Sequence, residues 1–345
     1  MRLLRPALWL AGLGAIVLFP QISRGTYFVH IGALTCVYII LVLSYDVVVG
    51  QLGAISLAHP AFYGIGAYTA GILSTRYDSP FLLNIVLGAI LAGVFALLIG
   101  FPSFRLSSYT FAMGTLGLAL VAQLVATNWI PVTKGPLCLS NIPPVSIGIP
   151  GMFNWTAAGT RDDYYVSLAL AILVALTIRQ VLRSPIGRAF QAIRDDEILA
   201  ESRGINLLRY RLVGFAFSAM LSGVAGAYVA HFIKVICPTL LAVDVSLTLL
   251  IIVFLGGVGN MAGIVAGAVV FTLIPEYLRI TSAWRPLIYG VILLLFIVFA
   301  PQGFAGLIES GQNRLRSLLG ERRGDLSTLD TASRGSQGSR RRDDE

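Results

Sequence analysis

The sequence predicts an all-α polytopic membrane protein of about ten transmembrane helices. Of its 345 residues, 56% are hydrophobic and only 12% are charged, whereas a soluble domain is about 25% charged. The chain also contains 36 glycines, a residue that is more frequent in membrane helices than in soluble ones. The alternative, a soluble protein that buries all of its apolar runs inside one globule, is disfavoured by this composition.

Apolar runs of spanning length recur along the whole chain. A bilayer core of about 30 Å requires about 20 apolar residues per helix. The first run follows a basic start without a convincing cleavage site, so it is interpreted as a retained span. The eighth and ninth runs are separated by a short, barely polar stretch, which leaves open whether they are two full spans. The runs cover residues 7–23, 26–45, 52–75, 81–101, 109–130, 164–182, 211–236, 245–259, 261–278 and 286–300.

The distribution of basic residues predicts the orientation in the cell (inner) membrane. With a cytoplasmic N-terminus and ten crossings, 18 of the 25 Lys and Arg residues lie inside and 7 outside, as the positive-inside rule requires. Both termini are therefore predicted to be cytoplasmic. Residues 1–310 form the predicted transmembrane domain, with a Pro/Gly-rich outer loop at 131–163. Residues 311–345 have the composition of a disordered cytoplasmic tail.

One charged segment, at residues 183–210, lies between two predicted spans on the inner side. It begins RSPIGRAFQAIRDDEILAESRGIN, where Ser184-Pro185 is a helix-start signal. A second short helix is predicted from about Asp196 to Arg203, with Gly204 at its C′ position. A solvated loop is the alternative interpretation. Apolar residues at helical spacing form one face of the first helix, namely Ile186, Ala189, Phe190 and Ile193.

The stretch IRDDEILAESRGIN, followed by RYRLVGFAFSAMLSGVAGAYVAHF, resembles the permease subunits of branched-chain amino acid ABC importers. The resemblance is to the member of the permease pair with the larger outer loop. It extends to VVVGQLGAISLAHPAFYGIGAYTAGIL at 47–73, LLIIVFLGGVGNMAGIVAGAVV at 249–270 and APQGFAGL at 300–307. The chain departs from the family's usual residues at Asp46, Ala58 and in the outer loop, which leaves the substrate open.

The resemblance implies a transport subunit that is driven by partners. An ATPase is expected to grip the charged segment as a coupling helix, a soluble binding protein to deliver substrate to the outer loop, and a second related permease to complete the bundle. The implied substrates are branched-chain or other apolar amino acids, with urea, short amides and other small polar solutes left open. The residues expected to couple to the ATPase are Asp195, Asp196, Glu197, Ala200, Glu201, Arg203 and Gly204.

Motifs for catalysis are missing from the sequence. A P-loop places a lysine after glycine, whereas the only lysines are Lys134 and Lys234, and neither follows glycine. We therefore predict that the chain is not an enzyme and has no cofactor, metal or nucleic-acid partner. Cys36, Cys138 and Cys237 have no metal-like spacing and are interpreted as packing residues. A disulfide between the last two requires that both lie on the outer side.

The third predicted span contains the candidates for a translocation path. Its Pro60 removes a backbone hydrogen bond, and interrupted helices tend to line transport routes. Close packing through small residues is the alternative. An ion-coupled carrier is the competing function, but Asp46 is the only acid near the middle third of a span, and it lies close to the inner end. The path candidates are Ser56, His59, Tyr63, Gly64 and Gly66.

Overall fold

The structure is a computed structural model, described for residues 20–21, 25–105, 108–149, 153–157 and 159–278. It is a bundle of helices, as the sequence predicts. The first helix continues into a π-helical turn, Val47–Gln51. The helices, in chain order, are α1 Thr26–Asp46, α2 His59–Tyr77, α3 Phe81–Ser103, α4 Ser108–Asn128, α5 Thr160–Arg183, α6 Pro185–Asp195, α7 Glu197–Ser202, α8 Leu207–Ile233, α9 Val243–Gly256 and α10 Met261–Leu278. Short helical turns occur at Ile130–Thr133, Gly135–Leu137 and Pro238–Leu241.

Among the residues that the structure describes, five helical segments are long and apolar enough to cross a membrane. The helix α9 is shorter, at 14 residues, and a full span requires about 20. The length of α9 therefore argues against two full spans within 245–278. The predicted first span, apart from residues 20 and 21, lies outside the described residues, as do the predicted last span at 286–300 and the tail at 311–345. The five segments are Thr26–Gln51, Phe81–Ser103, Tyr109–Asn128, Thr160–Arg183 and Leu207–Ile233.

The centre of the bundle is α8, which packs along both α2 and α3. Small residues permit this close approach, because lipid supplies no hydrophobic drive and helices associate through backbone contact. A Cβ added at Gly66 of α2 would lie 2.6 Å from the Cα of Gly223 in α8. One added at Gly223 would lie 2.7 Å from the carbonyl oxygen of Gly88 in α3. The other side of the bundle is formed by α1, which packs against α5 and α10.

The third predicted span differs from its prediction. The helix α2 begins only at His59, and residues 52–58 precede it as an irregular segment. Pro60 therefore lies in the first turn, where a missing N–H costs nothing because that group has no intrahelical acceptor. Gly64 and Gly66 lie inside a continuous helix. The third predicted span is interrupted, as the sequence predicts, but the break lies at residues 52–58, immediately before the helix that contains Pro60.

The predicted outer loop contains a β-ribbon that the all-α prediction omitted, and a disulfide joins it to a later part of the chain. Strands β1, Ser146–Ile149, and β2, Phe153–Thr156, form an antiparallel two-stranded ribbon. A disulfide joins Cys138 to Cys237, with their Cα atoms 4.4 Å apart, and so answers the question that the sequence left open. The interpretation of both cysteines as packing residues was wrong. Cys36 is a free, buried thiol, and its interpretation as a packing residue is confirmed.

Candidate functional site

The two short helices predicted in the charged segment are present. Ser184 caps α6 by accepting a hydrogen bond from the backbone N of Ile186 at 3.2 Å, and Pro185 is the first residue of the helix. The predicted apolar face is buried at Ala189, Phe190 and Ile193, while Ile186 remains 39% exposed. The helix α6 is therefore fixed to the bundle along one side.

The acidic residues of the segment have structural roles of their own. Asp196 caps α7, with its Oδ1 accepting from the backbone N of Leu199 at 3.0 Å. Glu197 forms an ion pair with Arg211 of α8. Ala200 is buried, and Gly204 adopts a left-handed backbone with φ of 81° just after the helix. These groups therefore shape α7 and anchor it to the bundle. The other predicted coupling residues, Asp195, Glu201 and Arg203, are exposed.

The outward face of α7 is formed by two residues that the sequence analysis missed. Ile198 is 82% exposed and Leu199 is 51% exposed. A contiguous apolar patch exposed on a polar surface marks a contact with another protein or with a membrane. The sequence signal was the pair Ile198-Leu199 directly after three acids. The direction in which these two side chains face depends on how α7 attaches to α8.

A second cluster, also missed, lies where the end of α6 meets the end of α1. Arg194 Nη1 donates to the carbonyl oxygen of Gly50 at 2.5 Å. The Asp46 carboxylate accepts from the backbone N of Gly259 at 2.9 Å and from Gln51 Nε2 at 3.3 Å. Gln51 Nε2 also donates to Gly259 O at 3.2 Å. These contacts join residues that are up to 213 positions apart in the chain.

The polar candidates for the translocation path are buried among helices. His59 Nε2 lies 2.6 Å from Ser218 Oγ, and the Ser218 hydroxyl donates to Ser44 O at 2.5 Å. Because that hydroxyl proton is committed to the carbonyl, His59 must donate from Nε2. Its Nδ1 then has no partner in the described part of the chain. Ser56 is fully buried and accepts from the backbone N of Ala58 at 3.3 Å.

The remaining candidates, Tyr63, Gly64 and Gly66, lie at helix contacts. A Cβ at Gly64 would meet the side chain of Leu241, and one at Gly66 would meet the backbone of Gly223. A cavity of about 340 Å³ opens between α2, α3 and α4, and it is lined by the other face of α2. None of the five candidates lines this cavity, so their role in a path stays a prediction.

Within the described ranges no group of three or more His, Cys, Asp or Glu residues is placed to hold a metal ion. The described residues present three features: exposed Ile198 and Leu199 on α7, the ion pair that anchors α7, and the polar cluster around Asp46. Fold and site together define a polytopic helical membrane protein with two short helices, α6 and α7, between two of its long helices.

Comparison with known proteins identifies the family. The profile of the family described as branched-chain amino acid transport system permease component matches residues 27–300, and the chain belongs to this family. The resemblance inferred from the sequence is thereby confirmed.

Individual relatives extend the match. The chain is 33% identical over 303 residues to the high-affinity branched-chain amino acid transport system permease protein LivM of Escherichia coli (strain K12), which covers 82% of this chain and 70% of the relative. LivM of Salmonella typhimurium is 31% identical over 88% of this chain and 75% of the relative. LivH of the same species is 24% identical over 79% of this chain and 92% of the relative. No solved structure matches the chain significantly.

Proposed function

We propose that this chain is the membrane-spanning permease subunit of an ATP-binding cassette importer for branched-chain amino acids. The observation that carries the proposal is the 33% identity over 82% of the chain to a relative named a branched-chain amino acid transport permease. The names of the relatives favour amino acids over urea, short amides or another small polar solute. ATP is hydrolysed by a separate subunit, since the chain carries no P-loop sequence.

An ATPase subunit docks on α7 in this proposal. The support is the exposure of Ile198 and Leu199 on a short helix that Glu197 anchors to the bundle. The ion pair between Glu197 and Arg211 ties α7 to α8, so a force on the tip reaches a long helix of the bundle. A second related permease completes the importer, and a soluble binding protein delivers substrate to the outer loop at 131–163.

The proposed topology has about ten spans in the inner membrane, with both termini cytoplasmic. Residues 1–310 form the transmembrane domain and 311–345 a cytoplasmic tail. The charge distribution supports this orientation. The disulfide between Cys138 and Cys237 supports an outer position for the loop at 131–163, because disulfides are rare in the cytosol.

An ion-coupled carrier is disfavoured by the state of Asp46. An ion-coupled carrier would bind its ion at an acid inside the membrane. Both Asp46 oxygens already accept hydrogen bonds, one from Gly259 and one from Gln51. Asp46 therefore holds the end of α1 against the turn at Gly259.

Reconstitution tests the proposal directly. The chain is placed in proteoliposomes with its ATPase, second permease and binding protein, and uptake of radiolabelled leucine is followed with and without ATP. We expect uptake that requires ATP and the binding protein and that isoleucine and valine inhibit. Leucine uptake driven by an ion gradient without ATP would contradict the mechanism. Uptake of urea or acetamide in place of leucine would contradict the substrate.

A further inference from the structure

Two turns that depart from regular helix meet beside α6 and α7, which we call the docking helices. We call them the inner junction: the segment Val47–Gly53, which includes the π-helical turn, and the connection 257–260 between α9 and α10. Single π-turns inside helices occur frequently at functional sites. Arg194, near the end of α6, reaches this junction through its bond to Gly50 O.

The junction is shaped to receive the Arg194 side chain. A Cβ added at Gly259 would lie 2.8 Å from Arg194 Nη1, and one added at Gly53 would lie 3.3 Å from Arg194 Cγ. Both glycines have left-handed backbones, with φ of 81° and 71°, which other residues rarely adopt. The arginine thus lies against two turns whose conformations and lack of side chains leave it room.

Hydrogen bonds connect the junction to the helices around it. Asp46 and Gln51 bind Gly259 and so hold the two turns together. The irregular segment at 52–58 continues from the junction. Its Leu57 N donates to Thr115 Oγ1 of α4 at 3.0 Å, and Ser246 Oγ of α9 donates to Leu57 O at 2.7 Å. A displacement of the junction would therefore act on α4 and α9.

We propose that Arg194 is the positioning residue through which the docking helices move the inner junction. The inference rests on the proposed function, since it assigns to the ATPase the force on α6 and α7. When α7 is displaced, Arg194 carries Gly50 and its π-turn with α6, and residues 52–58 pass the movement to α4 and α9. The ion pair between Glu197 and Arg211 fixes α7 to α8, and the irregular backbone of the junction and of residues 52–58 is the part that changes conformation.

The test measures movement without using substrate. A cysteine is introduced at Ile55, which is 46% exposed and lies within the irregular segment. Its rate of labelling by a maleimide is compared in the assembled importer without nucleotide and with ATP and vanadate. The native cysteines leave the background low, because Cys36 is buried and the other two are joined in a disulfide.

Arg194→Met removes the donor and retains much of the side-chain volume. We expect this variant to bind the ATPase and hydrolyse ATP but to lose the nucleotide-dependent change in labelling. Arg188→Met is the matched control, because Arg188 is exposed on the same helix, and it should label as the parent does. Arg194→Lys retains one donor for the Gly50 carbonyl and should restore part of the change, which a merely structural role would not predict.

The outcomes separate this inference from the proposed function. If Arg194→Met binds the ATPase and shows the same labelling change as the parent, the inference is overturned. If the parent binds the ATPase but shows no change, the segment does not move and the inference also fails. If labelling changes as expected but leucine is not transported, the inference stands and the substrate assignment fails.

Discussion

The sharpest test of the docking surface is the substitution Ile198→Ala. It removes three carbons from a side chain that is 82% exposed in the free chain, and at about 0.8 kcal/mol per buried methylene the loss is about 2 kcal/mol if docking covers that area. By the relation of about 1.4 kcal/mol per tenfold, the ATPase should bind about 30-fold more weakly. The free energy of unfolding should not change, because Ile198 packs little within the chain.

The assay is a titration of the purified ATPase against the detergent-solubilised permease, with thermal unfolding measured in parallel. Leu173→Ala is the control, since Leu173 is 60% exposed on α5, away from α7, and its loss should leave the Kd unchanged. An unchanged Kd for Ile198→Ala would refute the reasoning, as would a Kd loss that is matched by a lower melting temperature. Charge reversal at Asp196 or Glu197 is less informative, because the first caps α7 and the second anchors it.

Two further predictions concern the stability of the bundle. Gly66→Ala places a Cβ against the backbone of Gly223 and should lower the free energy of unfolding by about 1–3 kcal/mol; Gly114→Ala, with nothing within 4 Å, is the control in thermal unfolding, and equal melting temperatures would contradict the packing assignment. Replacing both Cys138 and Cys237 by serine opens a link that spans 99 residues and should cost about 2–5 kcal/mol. Dithiothreitol should lower the melting temperature of the parent alone, and equal sensitivity of the two proteins would argue against the bond.

The docking helices were predictable because their signals are local. Ser184, Pro185, Asp196 and Gly204 each act within one helical turn, so their order along the chain is sufficient evidence for two short helices. The exposure of Ile198 was not predictable in the same way. It depends on the pairing of Glu197 with Arg211, which fixes the rotation of α7 about its axis.

The third predicted span shows where composition misleads. Residues 52–58 are as apolar as a helix interior, so hydropathy included them in the span. Proline both ends and begins helices, and the sequence alone did not decide which role Pro60 has. The decisive contacts come from distant parts of the chain: Thr115 and Ser246 bind the backbone of Leu57, and no periodicity predicts them.

The bundle contains one closely packed part and another part that is built of irregular segments. Gly66, Gly88 and Gly223 let α2, α3 and α8 approach with their backbones in contact, and interiors packed in this way transmit strain. The irregular segments lie elsewhere, at the inner junction beside α6, where hydrogen bonds from Asp46, Gln51 and Arg194 connect the turns. In the proposed mechanism, a force applied at α7 acts on α8 through the ion pair between Glu197 and Arg211, and on α4 and α9 through the irregular segments. In the proposed mechanism, the relative movement of these two parts is the step that Arg194 transmits.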